Sequence, residues 1–247
     1  MADQADEASR TGQFGPDIYA GWRDSSLGQI TETLEHRLIF RLTGPLQNRS
    51  VLDAGCGDGT LAQAIAREGA TRVWGCDIDS RMIVKARARM GLDASVQEGT
   101  RIDLAVARLQ ALPFADDTFD VVTCITILAF LPDAAKAVRE MARVLRPGGR
   151  LVIGDLGKWS SWAARRRIRG WLGAKLWRAA RFRTATELVA LTVGAGLTTG
   201  LVKGAIFYPH WTTLARAMAP FDARLGDMTT LGAAFVAIQA TKPWSPD

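Results

Sequence analysis

The chain predicts an α/β fold: a doubly wound, Rossmann-like sheet, mostly parallel and seven-stranded, with helices on both faces. Three observations carry this. Short apolar runs alternate with helix-patterned segments through residues 46–156. The first run, Val51-Leu52-Asp53-Ala54, enters a turn holding Gly55, Gly57 and Gly59 that opens a helix. A later run, "FDVVTCITIL" (119–128), is apolar almost throughout, as strands covered on both faces are.

"QITETLEHRLIFRL" (29–42) places apolar residues 30, 34, 38, 39 and 42 at helical spacing, and "LTGP" then breaks the helix. "RSVLDAG" reads as a buried strand and "GTLAQAIAREGA" as a helix with a glycine stop. "TRVWGCDID" is a second strand, followed by the helix "SRMIVKARARMG" with Ser80 as its expected N-cap. "RIDLAVARL" is a third strand, "LPFADDT" a turn, and "FDVVTCITIL" the fourth strand. "DAAKAVREMARVL" is a helix, "RPGG" a turn and "RLVIGDL" the fifth strand. After it come the helix "TATELVALTVGAGL" and a strand pair, "GLVKGAIFYP" and "GAAFVAIQATK", separated by the helical "HWTTLARAMAPFDARL".

Between the fifth strand and that helix lies "WSSWAARRRIRGWLGAKLWRAARFR" (159–183), an inserted, basic, Trp-rich helical lid. Ile168, Trp171, Leu172, Leu176 and Ala179 recur at helical spacing, while Gly170 and Gly173 favour two short helices over one. The expected organisation is a single domain over 1–247. An N-terminal helical segment (1–45) covers a core at 46–156. The lid spans 157–183, and the last helices and strand pair occupy 184–247.

The 247 residues suffice for one such domain, and 48% hydrophobic with 23% charged residues is an ordinary globular balance. No apolar run approaches the roughly 20 residues of a spanning helix. The polar start, "MADQADEASRTGQ", is not a secretory signal. Cys56, Cys76 and Cys124, with no CxxC pair, read as reduced thiols of a cytoplasmic protein without disulfides or zinc. The net charge of +6 is local: residues 156–186 carry nine Lys/Arg and no Asp or Glu, and without them the balance turns negative.

In an open parallel sheet, ligands sit beyond the C-terminal strand ends near the switch in strand order. Asp53 closes the first strand and Asp77 the second. A carboxylate at Asp77 is placed to accept from the paired hydroxyls of a ribose. The loop is Gly-x-Gly-x-Gly, one residue short of the dinucleotide fingerprint, and two acids with no base beside it oppose a pyrophosphate. They suit a ligand with a nucleoside at one end and a cation at the other. S-adenosylmethionine has both and no phosphate.

Four blocks, "VLDAGCGDGT", "VWGCDIDSRM", "LPFADDTFDVV" and "REMARVLRPGGRLVIGDL", stand in the order and spacing of class I S-adenosylmethionine-dependent methyltransferases. The chain resembles their small-molecule branch, which includes the ubiquinone and menaquinone biosynthesis enzymes, well over residues 14–156 and in the tail by general architecture. The resemblance implies a methyltransferase with S-adenosylmethionine as cofactor, S-adenosylhomocysteine as product and no metal. It places Asp53, Gly55, Cys56, Gly57 and Gly59 around the methionyl end and Asp77 at the ribose. Ile78 and Met82 match apolar adenosine contacts, and Leu109 the backbone position at the adenine edge. Arg108 stands where many relatives have Asp. Cys124 matches the cofactor-facing end of strand four, and Tyr19 an N-terminal segment folded over the site. Ala129 and Phe130 occupy a stretch where many relatives carry His.

Asp58 and Asp79 are expected to cap or to face solvent, Cys56 and Cys76 to pack, and His36 to lie on the first helix. No general base is evident; Asp155, Tyr208 and His210 are the candidates. The acceptor expected from "CITILAF" and the lid is a small apolar or aromatic molecule. A nucleic-acid acceptor is the alternative, drawn from the arginines. It lacks an Asn/Asp-Pro-Pro-aromatic stretch at strand four and the catalytic cysteine of cytosine enzymes. A non-catalytic S-adenosylmethionine-binding module is the third reading. Residues 158–183 are further expected to touch anionic membrane at its periphery. The oligomeric state is left open.

Overall fold

Seven strands form one sheet in the computed structural model, which describes residues 21–91 and 100–244. They are β1 (Ser50–Ala54), β2 (Arg72–Asp77), β3 (Arg101–Val106), β4 (Phe119–Ile125), β5 (Leu145–Leu156), β6 (Thr198–Ala205) and β7 (Phe235–Thr241). Their spatial order is β3-β2-β1-β4-β5-β7-β6. β1 to β5 pair in parallel, and β7 is antiparallel to both neighbours. The order reverses between β1 and β4, which opens the crevice at their C-terminal ends. Asp53 stands in register with Gly75 of β2 on one side and Thr123 of β4 on the other.

The helices are α1 (Ser26–Thr43), α2 (Thr60–Arg67), α3 (Ser80–Gly91), α4 (Ala134–Val144), α5 (Ser161–Trp171), α6 (Lys175–Ala179), α7 (Ala185–Val193) and α8 (Thr212–Met228). Successive strand residues feed opposite faces. Val51, Val121 and Val152 join α1, α2 and α8 in one apolar layer. Leu52, Val122 and Leu151 join α4 and α7 in the other. Strands covered on both sides account for the continuous apolar runs.

Local chemistry sets the helix starts. Ser25 accepts from the Gly28 N–H at the head of α1, Asp133 from Lys136 at α4, and Thr184 with Glu187 forms a capping box on α7. At α3 the expectation fails by one residue. Ser80 is the first helical residue, and the Asp79 carboxylate accepts from the Arg81 N–H at 2.9 Å. The acid, closer to the dipole's positive end, wins the position.

"RPGG" is not a turn between α4 and a strand. β5 starts at Leu145, and the register jumps from Phe119↔Leu145 to Val121↔Arg150. The extra residues are absorbed as a bulge, because the Gly148 N–H donates to the Lys242 carbonyl and the Lys242 N–H to Gly149. The inserted segment divides into α5 and α6 at Gly173, whose φ of +105° suits only glycine without strain. α8 carries Pro220 internally. Two residues on, the Asp222 carboxylate leaves the helix to accept from the Ile206 and Phe207 N–H groups at 3.0 Å. That clamp holds Ile206 at a φ of +66°, strained for a β-branched residue, at the corner after β6.

Candidate functional site

The site begins with Asp53 at the end of β1. Its side chain is 2% exposed. Oδ1 accepts from the Thr123 hydroxyl at 2.9 Å, while Oδ2 has no partner among the described residues. Burial pushes this carboxyl up to about 7, against the Thr123 bond and with the Asp77 charge adding to the rise. A buried carboxylate oxygen without a donor fits an ammonium or another cation.

Beyond it the chain must turn sharply beneath β4. Gly55 takes a φ of +86°, and its N–H and that of Cys56 both donate to the Cys76 carbonyl. A Cβ on Gly55 would collide with the Ile127 side chain, so the glycine lets the 127 loop close over the turn. At Gly57, φ is +53° and a Cβ would meet nothing within 4 Å, so this backbone faces open space. Its N–H donates to Oδ2 of Asp77 at 3.0 Å, and the Asp79 N–H donates to Oδ1 at 2.9 Å. Asp77 therefore shapes the loop with one lone pair of each oxygen and keeps others for a ligand. Burial raises its pKa. Gly59 starts α2 at a φ of +80°.

Ile78 and Met82 follow, both half-buried. Leu109 is buried, and Arg108 pairs through its backbone with Ala111. Cys56 is buried, its sulfur close to Gly75, and burial drives its thiol far up. The Cys124 side chain is fully enclosed in the core beside Ala54, Cys76 and Leu128. Its thiol is a packing group, held protonated by burial. Tyr19 lies outside the described residues.

Asp58 corrects its expectation. It is 8% exposed, and its carboxylate binds Arg23 at 2.7 and 3.0 Å and Arg89 at 2.7 Å. Burial alone would raise its pKa; the two guanidinium groups overcome that and hold it at about 2. The glycine loop is thereby bound to the segment leading into α1 and to the end of α3.

The three base candidates separate. Asp155 is fully buried: its Oδ1 accepts from the Ala129 and Leu156 N–H groups and its Oδ2 from Arg183 at 2.8 Å. Burial still lifts it to about 6 against the Arg183 charge. Both oxygens are engaged, so Asp155 ties the end of β5 to Arg183 beyond α6. Tyr208 is likewise fully buried, its hydroxyl 3.1 Å from that of Thr31 and its acidity weakened to a pKa of about 12. His210 alone keeps accessible surface, its ring 4.6 Å from that of Trp162. Burial, then Arg165, lowers its pKa, which keeps it neutral.

Sequence reasoning missed Thr123, Ile127 and Arg23, because register and loop closure bring them to the site. Among the described residues, no group of three or more His, Cys, Asp or Glu could hold a metal ion. No helix among them is long and apolar enough to cross a membrane.

The chain is similar to proteins described as methyltransferases. Residues 52–153 match the family described as "Methyltransferase domain". The methyltransferase GfsG of Streptomyces halstedii is 37% identical over 159 residues, covering 62% of this chain and 55% of that protein. The ubiquinone biosynthesis O-methyltransferase of Idiomarina loihiensis is 33% identical over 175 residues, covering 68% and 69%. The chain thus spans about half to two thirds of the length of these curated relatives. A Thermotoga maritima structure, described as a SAM-dependent methyltransferase and possible histamine N-methyltransferase, superposes with a TM-score of 0.68 at 21% identity. That match covers 95% of this chain and 99% of that one.

Proposed function

From its membership of the class I S-adenosylmethionine-dependent methyltransferase family, we propose that this chain transfers a methyl group from S-adenosylmethionine to a small-molecule acceptor, apolar or aromatic. The observation that carries the reading is the pair of acids at neighbouring strand ends, one of them with an unengaged oxygen. Asp53 would bind the ammonium of the methionyl end and Asp77 the ribose hydroxyls. The backbone of Gly55, Cys56, Gly57 and Gly59 would line the tail. Ile78 and Met82 would pack on the adenosine and the Leu109 backbone would meet the adenine edge, with Arg108 beside it. Cys124 would contribute its backbone at the end of β4.

When bound, S-adenosylmethionine supplies a methyl group already activated by its sulfonium. The chain's own part is to align the acceptor and exclude water. Ile127 and Phe130, both half-buried in the turn after β4, would flank the acceptor, and the segment 157–183, tied to the end of β5 by Arg183 and Asp155, would cover it. Calorimetry tests the cofactor half: S-adenosylhomocysteine gives binding heat, and NAD or a nucleoside triphosphate gives none. A reversed result overturns the reading. A panel of quinols, phenols and amines assayed for S-adenosylhomocysteine release tests the acceptor half.

The relatives' printed names support a small molecule over nucleic acid: one is a ubiquinone biosynthesis O-methyltransferase. The lid supports a peripheral membrane contact through residues 158–183. Trp171 and Leu172 are 80% and 81% exposed, and Trp159 and Ile168 also face out, among Arg165, Arg169 and Lys175. Vesicles with anionic lipid are expected to sediment the protein at low salt, with Trp171→Ser/Leu172→Ser releasing it. Equal recovery with neutral vesicles, or none at all, removes this contact.

A further inference from the structure

The glycine loop is held in shape by side chains that come from outside it. Gly55, Gly57 and Gly59 all take positive φ, so the segment is built from residues with little conformational preference of their own. Its first half is fixed by backbone: the Gly55 and Cys56 N–H groups donate to the Cys76 carbonyl at 2.7 and 2.9 Å. Its second half offers one side chain, Asp58, and that carboxylate is gripped from two sides. Arg23 donates to both oxygens, at 3.0 and 2.7 Å, and also to the Thr60 hydroxyl at 2.6 Å. Arg89 donates to the carboxylate at 2.7 Å and to the Asp58 main-chain carbonyl at 3.1 Å. A guanidinium that engages both carboxylate oxygens fixes orientation as well as distance.

The two arginines differ in what carries them. Arg89 stands near the end of α3, on which the loop already rests: a Cβ at Gly59 would press on Ala86 at 2.9 Å and Met90 at 3.0 Å. Arg23 belongs to the helical residues 21–24 that precede α1. These fold back on the start of α1, where the Ser25 N–H donates to the Trp22 carbonyl at 3.1 Å and Glu32 lies 4.0 Å from the Arg23 guanidinium. The fold-back requires glycine at position 28. A Cβ there would run into the Trp22 carbonyl and stand 2.8 Å from the Arg23 Cα. Gly28 lies within α1 and has no positive φ, so what it supplies is room and not a special backbone angle.

The structure assigns Arg23 the role of a positioning residue for the cofactor: through Asp58 it holds the glycine loop in its receiving shape, and Gly28 makes that reach possible. The assignment deepens the methyltransferase reading above and rests on it. Asp58 adjoins Gly57, whose N–H donates to Oδ2 of Asp77 at 3.0 Å. A loop released at Asp58 lets Gly57 swing away from Asp77, so the backbone that would line the methionyl tail loses its register with the acid that would meet the ribose. Closure of the loop by Arg23 and binding of the cofactor then form one coupled equilibrium, and the coupling acts equally in both directions.

Calorimetric titration with S-adenosylhomocysteine and amide hydrogen exchange, both on the full chain, test this. Arg23→Met is expected to raise the Kd about 10-fold. Arg23→Lys, which keeps the charge but not the two-pronged bond, recovers only part of the loss. Gly28→Ala removes no charge and favours the helix, yet it is expected to weaken binding to a similar extent by pushing residues 21–24 away. Because both variants break one link, the double variant binds within about 2-fold of Arg23→Met alone. By reciprocity, S-adenosylhomocysteine slows exchange of the Ser25 amide about 10-fold in the unaltered protein and not in Arg23→Met. A residue that merely props the fold would lower Tm and leave this slowing intact. An unchanged Kd for Arg23→Met or Gly28→Ala, losses that multiply in the double variant, or Ser25 exchange indifferent to the ligand overturns the assignment. Absence of binding heat in the unaltered protein removes the methyltransferase reading itself, whereas heat that ignores Arg23 removes only this inference.

Discussion

Asp77→Ala is expected to weaken S-adenosylhomocysteine binding by two to three orders of magnitude while the protein stays folded. The carboxylate accepts from the Gly57 and Asp79 N–H groups and, on the proposed reading, from two ribose hydroxyls. Two charge-assisted bonds to the ligand are worth about 3–5 kcal/mol together, which is a factor of about 10² to 10³ or more in Kd. Loss of the Gly57 contact loosens the loop and adds to the deficit. Asp77→Asn keeps one acceptor oxygen and should lose less. Calorimetry measures both, with circular dichroism as the check on folding. An unchanged Kd for Asp77→Ala would remove the ribose from this position and with it the cofactor assignment.

The largest effect on stability is expected at Asp155→Ala. Asp155 is fully buried, and Arg183, 7% exposed, has its carboxylate as counter-charge at 2.8 Å. Truncation leaves a buried guanidinium unpaired and removes the acceptor of the Ala129 and Leu156 N–H groups. Breaking such a pair from one side costs about 3–5 kcal/mol. For a domain of this size that is a fall in Tm of about 10 °C. The double variant Asp155→Leu/Arg183→Met removes both charges and should regain most of the loss, since an apolar replacement avoids the desolvation of two ions. Thermal unfolding of the two variants decides it. If the double variant is as unstable as Asp155→Ala, the pair is not a unit.

The proposed cofactor half of the site is legible in the sequence because it is local. Asp53, the glycines and Asp77 lie within one strand-turn-helix-strand unit, and backbone geometry aims them. Parallel pairing of five strands also follows from alternation and from apolar runs. The contacts made across long sequence separations were not legible, since no local pattern marks them. Thr31 meets Tyr208 across 177 positions and Trp162 meets it across 46. Asp58 shows the same limit: beside the loop it looks solvated, but Arg23 and Arg89 arrive from 35 positions before and 31 after. "RPGG" misled because Lys242, from the far end of the chain, took up the backbone groups of what the sequence marks as a turn.

The ends of the sheet carry a consequence for how the protein behaves in crowded solution. The outermost strand on one side, β6, has an irregular register between Thr199 and Val202, a glycine at 200 and a lysine at 203. The outermost on the other, β3, alternates Arg101 and Asp103 with its apolar residues. Neither offers a flat, uncharged ladder onto which a second molecule could zip. Self-recognition through main-chain bonding is thereby discouraged at both margins, and copies of this protein that associate will do so through side chains.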